Sequence, residues 1–471
     1  MSVIAIDKRR VIVGLGVTGL SCARFFAKHG IAFSVADSRD NPPGLDAFRR
    51  EFAEVPLYLG ALSAELFGAA DELIVSPGVA LEEPAIAAAI KNGVSVCGDI
   101  DLFVRHVLSQ PVRAPIVAIT GSNGKSTVTT LVGEMAQAAQ RNVGVGGNLG
   151  TAALDLLDPA RDLYVLELSS FQLERAQPLH AEVATVLNVS PDHMDRYPSV
   201  LAYHQAKHRV FRGCKQIVIN RADALSRPLV PADVTQWSFG LDAPGFNAFG
   251  VRESNGERYL AFEHKLLMPV RELKIAGDHN VANALAALAL GHAVKLPMAA
   301  MLQTLREFTG LAHRCQLIAQ KDNVAFYDDS KGTNVGATVA AIEGLCAGRD
   351  GKVVLIAGGV GKGAEFDGLK PALEKFGRAV VLIGEAAPAI EAVVKNVLPP
   401  FLKSALPIAH ARDMQEAVSA AAKFAQSGDS VLLSPACASF DMFDNYAHRG
   451  DVFIAAVKQL VSKIKQTRET L

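Results

Sequence analysis

The sequence predicts an α/β protein of three domains, each built on a largely parallel sheet covered by helices. Three observations carry this expectation. Apolar runs that read as buried strands alternate with helical stretches along the chain, and glycine-rich turns repeatedly follow those runs. The length of 471 residues is also about three times an ordinary domain of roughly 150. Half of the chain is hydrophobic, enough for several packed cores.

The first unit opens with VIVG, which runs into GLGVTGLSCARFFAKHG, a glycine turn followed by an amphipathic helix. A strand AFSVAD ends at Asp37, and ELIVSPG ends in a Ser-Pro-Gly turn. RAPIVAIT starts a new unit, so the first domain is taken as residues 1–103. The βα rhythm is expected to continue through LYVLELSS, VATVLNVS and NVANALAALALGHAV, giving a second domain of 104–310. Gly240 to Gly256 reads as a solvent-facing insertion or hairpin. The third domain, 311–471, carries VAFYDDS, KVVLIAGG, AVVLIG and SVLLSP as strands.

The formal net charge is −1, from 47 Lys+Arg against 48 Asp+Glu, so neither nucleic acid nor an anionic membrane is favoured as a partner. An anionic substrate needs local cations instead. The six cysteines form no CxxC pair, which argues against a disulfide framework or a zinc site. MSVIAIDKRRVIVGLG lacks a signal-peptide core, and the stretch from Val281 to Leu290, apolar apart from Asn283, is too short to span a bilayer. A cytoplasmic monomer acting on small molecules is expected.

GSNGKST, Gly121 to Thr127, follows the strand PIVAIT and precedes the helix TVTTLVGEMAQAA. Backbone N–H groups of such a loop, with a helix N-terminus behind them, cradle a triphosphate. Lys125 adds a point charge and the Ser126 hydroxyl is a magnesium ligand candidate. GLGVTG matches a dinucleotide-binding turn, yet a lone match also describes a tight βα turn without ligand. Glu167 and His193 fall at or just past strand ends, where ligands gather. They suit magnesium, or else are a surface carboxylate and a turn histidine. Lys207 lies in a helical stretch, where lysine is ordinarily a solvated charge. Asn280 and Asn283 share a helix face, with Asn280 a candidate N-terminal cap. Beyond HRCQ, which holds Arg314, three loops follow strands: DSKGTN, GGVGKGAEF and SPACASFDMFDNYAHRG. Three loops at strand ends in one domain point to a shared cleft.

Together, GSNGKST, ELSSFQLE, NVSPDHMDRY, NVANALAAL, HR, DSKGTN and SPACAS resemble the Mur ligase family over essentially the whole chain. The resemblance implies a Rossmann-like N-terminal domain, a central P-loop-type mononucleotide-binding α/β domain and a C-terminal Rossmann-like α/β domain. It implies an ATP-dependent ligase that joins an amino acid to a UDP-sugar-borne carboxylate in peptidoglycan precursor synthesis. DSKGTN and SPACASFD point to D-glutamate as that amino acid. The UDP group is then held at Thr18, at Asp37, Ser38 and Arg39, and at Ser76, Pro77 and Gly78, with Asn148 facing the sugar-peptide. ATP falls to Gly121, Ser122, Asn123, Gly124, Lys125, Ser126 and Thr127, joined by Asn280, Asn283, Arg314 and Asp329. D-Glutamate falls to Lys331, Thr333, Lys362, Ser439 and Tyr446. Two magnesium ions are implied, at Ser126, Glu167, His193 and Lys207, the last carbamylated. Lys125, Glu167, His193 and Lys207 are the catalytic candidates. The chain departs at Val360 and Tyr446 from a family member that carries an acidic residue and Phe at those positions, which weakens the assignments of Lys362 and Tyr446. A folylpolyglutamate-type ligase is the alternative, but its chain begins near the phosphate loop. A nicotinamide oxidoreductase would rest on GLGVTG alone. A non-catalytic nucleotide-binding protein would bind ATP without forming ADP.

Overall fold

The computed structural model describes residues 8–275, 277–346 and 350–469, and among these the strands form three sheets. Five parallel strands make the first, in the order Leu57–Leu59, Ser34–Asp37, Arg10–Val13, Glu72–Val75, Ser95–Cys97. Its core face carries Val11, Val13, Leu73 and Val75, packed against Phe67 and Ile86. The chain leaves Arg10–Val13 to one side and returns through Glu72–Val75 on the other. The two strands' C-terminal ends therefore frame a crevice of the kind that takes ligands in open α/β sheets.

The second sheet has nine strands. Seven run parallel, with Ile116–Thr120 flanked by Leu163–Glu167 and Val183–Val186 and with Ala248–Ser254 the outermost. The expected βα rhythm stops short of residue 310. Ala248–Ser254, Glu257–Phe262 and Lys265–Pro269 form an antiparallel meander at one edge. Its first turn is Asn255-Gly256, both at positive φ (53° and 75°), the geometry of a two-residue hairpin. Of the two readings of Gly240 to Gly256, an insertion or a hairpin, the hairpin holds, and its first strand is part of the sheet with Ala248 and Phe249 buried.

The third sheet follows the order Gln316–Lys321, Val324–Asp328, Ser430–Leu433, Val353–Gly358, Gly377–Ile383, Ile408–His410. Its first pair is antiparallel and the remainder parallel. The two outer strands were not expected, because one, QLIAQK, is polar at both ends with no buried residue and the other has only three residues.

The chain groups into two compact units, the first holding the first two sheets and the second holding the third. One holds residues 1–189, 203–269 and 284–305, and the other holds 190–202, 270–283 and 306–471. Two features show how segments group. The helix Asp99–Ser109 runs through the 103/104 boundary. The segments carrying His193, Asn280 and Asn283 group with the third sheet, because Asp192 bonds to Lys362 and Asn334, and Gly277 packs near His279 and Gly344. All six cysteines are free thiols.

Candidate active site

In the first unit, the buried strand Ile116–Thr120 feeds Gly121 to Gly124, and the helix Lys125–Ala138 follows. Gly121 and Gly124 have φ of +153° and +82°, where a side chain is strained. A Cβ at Gly121 would also stand 3.0 Å from Leu187 Cβ. Asn188 shapes the loop. Its carbonyl accepts from Ser122 N–H (2.9 Å), its Oδ1 from Asn123 N–H (2.8 Å), and its amide donates to Asn123 O (3.0 Å). The Ser122 hydroxyl lies 3.2 Å from Tyr203 Oη. Ser126 and Thr127 are buried.

Two ammonium groups converge on this loop. Lys125 Nζ donates to the carbonyls of Gly121 and Ser122, both at 2.8 Å. Lys207 Nζ donates to the same Gly121 carbonyl at 2.9 Å and lies 4.4 Å over the Tyr203 ring. Lys207 is only 1% exposed, so the solvated reading of this lysine fails. The helix Val200–His208 turns it inward together with Tyr203 and Ala206. Glu167, in register with Ile119 on the adjacent strand, is also buried, which excludes the surface-carboxylate reading. Its Oε1 accepts from Asn148 Nδ2 at 2.7 Å, while Oε2 has no hydrogen-bond partner among the described residues.

A second feature of this unit is an open cleft of about 720 Å³ at the first sheet's crevice. Thr18, Asp37, Ser38, Arg39, Ser76, Pro77, Gly78 and Asn148 all line it, so the structure brings together every residue expected at the UDP-sugar. Gly14 (φ +96°) permits the tight turn, and a Cβ at Gly19 would come within 2.0 Å of Gly14 O. Asp37 accepts from Leu15 N–H (2.6 Å) and from Arg39 through its N–H, Nε and Nη2. Burial raises the Asp37 carboxyl, but the Arg39 side chain and these N–H donors outweigh it and leave its pKa lowered. Gln172 also faces the cleft, its amide donating to buried Asp99 at 3.3 Å.

In the second unit, three loops are stitched together by backbone hydrogen bonds. Ala436 N–H donates to Gly332 O, Gly358 N–H to Pro435 O, and Val360 and Ala438 exchange bonds at 2.9 Å each. Within them, Asp329 accepts from Ser434 Oγ (2.7 Å) and Cys315 N–H (3.1 Å). Burial pushes its carboxyl up to about 7, although Ser434, Arg314 and the Cys315 N–H each pull it down. Asp328 pairs with His313 Nδ1 at 2.7 Å. Lys331 Nζ rests 3.7 Å over the Tyr446 ring, Thr333 N–H donates to Lys331 O, and Ser439 is buried.

Sequence reasoning missed Arg449, which is fully buried. It donates to Ser330 through Nε and Nη2 and to the carbonyls of Cys437 and Ala438 through Nη1, clamping DSKGTN to SPACAS. Burial lowers its guanidinium to about 10. A lone arginine in a helical stretch carries no local signal. Asn188 and Asp192 were also missed, although both lie within NVSPDHMDRY.

His193 sits in the left-handed region (φ 59°), half-buried, its N–H donating to Asp192 Oδ1 at 2.9 Å. Asp192 also takes Lys362 Nζ at 2.6 Å and the Asn334 amide at 3.3 Å. Asn283 donates to Asn280 Oδ1 at 3.2 Å, so the two share a face. Asn280 is the third residue of the helix Asp278–Ala293, which overturns its reading as the cap. Among the described residues, no three His, Cys, Asp or Glu side chains gather as a metal cluster. Of the four metal candidates, Ser126, Glu167 and Lys207 belong to the first unit and His193 to the second.

Known proteins agree with this arrangement. Residues 8–98 match the N-terminal domain of Mur ligases of the MurD-like type, 119–291 the Mur ligase middle domain, and 313–437 the Mur ligase glutamate ligase domain. The UDP-N-acetylmuramoylalanine–D-glutamate ligase of Pseudomonas syringae pv. syringae is 57% identical over 460 residues, covering 98% of this chain and all of the relative. The ligases of the same name from Pseudomonas aeruginosa and Marinobacter nauticus are 56% and 51% identical over the same length and coverage. The fold is shared with the UDP-N-acetylmuramate–alanine ligase of Thermotoga maritima (TM-score 0.59, 19% identity, 96% of this chain and all of that one). It is shared as well with a pseudomurein peptide ligase type C from Methanothermus fervidus (TM-score 0.58, 18% identity, 97% and 100%). With all three domain types matched in order and full-length relatives above half identity, the chain belongs to the Mur ligase family.

Proposed function

We propose that the chain joins D-glutamate to the carboxylate of UDP-N-acetylmuramoyl-L-alanine with ATP, forming ADP and phosphate, in the cytoplasmic synthesis of peptidoglycan precursors. The observation that carries this reading is Asn148, which lines the nucleotide-sugar cleft and also bonds Glu167 beside the phosphate loop. A substrate carboxylate extended from that cleft reaches the edge where a γ-phosphate is held. Among the described residues no helix is long and apolar enough to cross a membrane. We keep 1–103, 104–310 and 311–471 as the UDP-, ATP- and amino-acid-binding portions.

A carboxylate is a poor electrophile, so its oxygen attacks the γ-phosphorus and ADP leaves, giving an acyl phosphate. Lys125 and the loop N–H groups offset charge on the transferring phosphoryl group, usually the main contribution in such reactions. The D-glutamate amine then attacks the activated carbonyl, and phosphate departs from the tetrahedral intermediate. Glu167 Oε2, buried without a partner among the described residues, is an oxygen that a hard cation satisfies, so the residues fit magnesium. Glu167 and Ser126 would hold it, with His193 as a further ligand by family likeness. When bound, it supplies positive charge to the phosphates.

Carbamylation of Lys207 belongs to the same proposal. Two ammonium groups sharing one carbonyl oxygen repel each other. Addition of CO₂ to the neutral Lys207 amine, with loss of one proton, forms a carbamate. This turns that repulsion into attraction and adds two hard oxygens. The deciding experiment measures ADP release with UDP-N-acetylmuramoyl-L-alanine across a panel of amino acids. Turnover with D-glutamate supports the proposal, and comparable turnover with L-lysine or L-glutamate refutes it.

A further inference from the structure

We propose that a cavity at the N-terminal edge of the nine-stranded sheet binds a small anion carrying an apolar or aromatic body. The cavity, about 730 Å³, matches the nucleotide-sugar cleft in size and lies wholly within the first unit. It opens where Ile116–Thr120, Val183–Val186 and Gln216–Asn220 begin. The phosphate loop follows the opposite end of the first of these strands, so the two sites do not overlap.

Its floor is apolar, with Val107, Ile116, Ala293 and Val294 all buried. Its rim is cationic. Lys215 is paired with Glu182 at 2.8 Å, and Arg141 with Asp162 at 2.9 Å. The side chains of Arg113, Lys295 and His180 have neither a hydrogen bond nor an ion pair among the described residues. After internal pairing the cavity therefore keeps two positive charges, with a histidine beside them. An apolar floor alone suits a neutral body, and rim cations alone are solvated. Their combination in one concavity suits an amphipathic anion, and the volume lies within the range of roughly 300–1,000 Å³ usual for small-molecule sites.

The backbone at the mouth is shaped to match. His180 and Lys295 hold left-handed conformations (φ 50° and 61°), which residues with side chains rarely adopt. A Cβ at Gly213 (φ 71°) would come within 2.9 Å of His180 Nδ1, so glycine there keeps the imidazole on the rim. Strain gathered around one concavity is a feature of ligand sites.

The test uses the full-length enzyme with UDP and ATP at saturating concentrations, which occupy the cleft and the phosphate loop, and 8-anilinonaphthalene-1-sulfonate as probe. One saturable fluorescent site is expected. Its Kd should rise at least about tenfold in the double variant Arg113→Glu/Lys295→Glu and also rise with added salt, because the rim charges are exposed. Inorganic phosphate, which lacks the apolar body, should compete poorly. Ligase turnover of the double variant without probe should stay within about twofold of the parent, which shows that the fold is intact. Loss of the saturable site in the presence of both nucleotides would overturn the proposal. So would a Kd unchanged by the double charge reversal while turnover is normal.

Discussion

The phosphate loop of the first unit and the stitched loops of the second handle charge in opposite ways. Around Gly121, two ammonium groups converge on one backbone carbonyl, and the adjacent Glu167 leaves one carboxylate oxygen without a partner among the described residues. Around Asp328 and Asp329, each carboxylate is engaged from within, by His313, Ser330, Ser434 and Cys315, and Arg449 clamps the backbone. The first region is arranged for charges that a nucleotide brings, whereas the second is a closed network that holds its own shape. Preorganised charge acts on the transferring group, while a rigid network acts on selectivity.

If the comparison holds, the largest effect belongs to Lys125. Lys125→Ala should lower ADP formation by about 10³-fold, within the range for removing one transition-state donor. The Kd for UDP-N-acetylmuramoyl-L-alanine, read by calorimetry, should change by no more than about twofold, and its loss would merge two sites kept separate here. Next comes Lys207. Lys207→Ala should lose about 10²- to 10³-fold in turnover, and added acetate or formate should partly restore it by supplying the missing anion. Lys207→Arg should not respond to those acids, and full activity of Lys207→Ala would refute the carbamate.

The second region is tested by its selectivity. D-Glutamate should exceed L-glutamate by at least about 100-fold in kcat/KM, because fixed donors left unpaired by the wrong stereoisomer are costly. The smallest expected effect is a pH dependence of stability at Asp329. Its folded pKa, about 7, lies above the ordinary 3.8, so the contribution is complete below the unfolded value and is lost as pH rises through about 7. Between about pH 5 and 7 that loss is on the order of 1–3 kcal/mol. Hydrogen exchange of the strand Val324–Asp328 should show it, and Asp329→Asn should remove that slope.

The sequence made the strands before each functional loop legible, because buried parallel strands are continuous apolar runs closed by glycine turns. The phosphate loop and the eight cleft residues followed from the same rule together with family likeness. Burial of Lys207 was not legible, since spacing on a short helix does not say which face a lysine takes. Of the antiparallel meander only the hairpin at Asn255-Gly256 was legible, inside a stretch read as an insertion or hairpin, while its half-polar strands were not. Arg449 was hidden for another reason. Apart from the Ser330 hydroxyl, its partners are backbone carbonyls, more than a hundred residues away at Ser330 and nearby at Cys437 and Ala438, and no side-chain pattern reports those.

Asn148 places a limit on how this chain can change. Gly147, at φ +100°, lets the backbone come so close that Asn148 N–H bonds Glu167 O, while the Asn148 side chain bonds the same residue's carboxylate. The amide that lines the cleft is therefore also the amide that orients the buried Glu167 carboxylate. A substitution that widens the cleft for a larger donor retunes that carboxylate in the same stroke. On the proposed function, donor range and phosphoryl chemistry are then inherited together, and a new donor is reached more freely through Thr18 or Ser38, which line the same cleft with no hydrogen bond to Glu167 among the described residues.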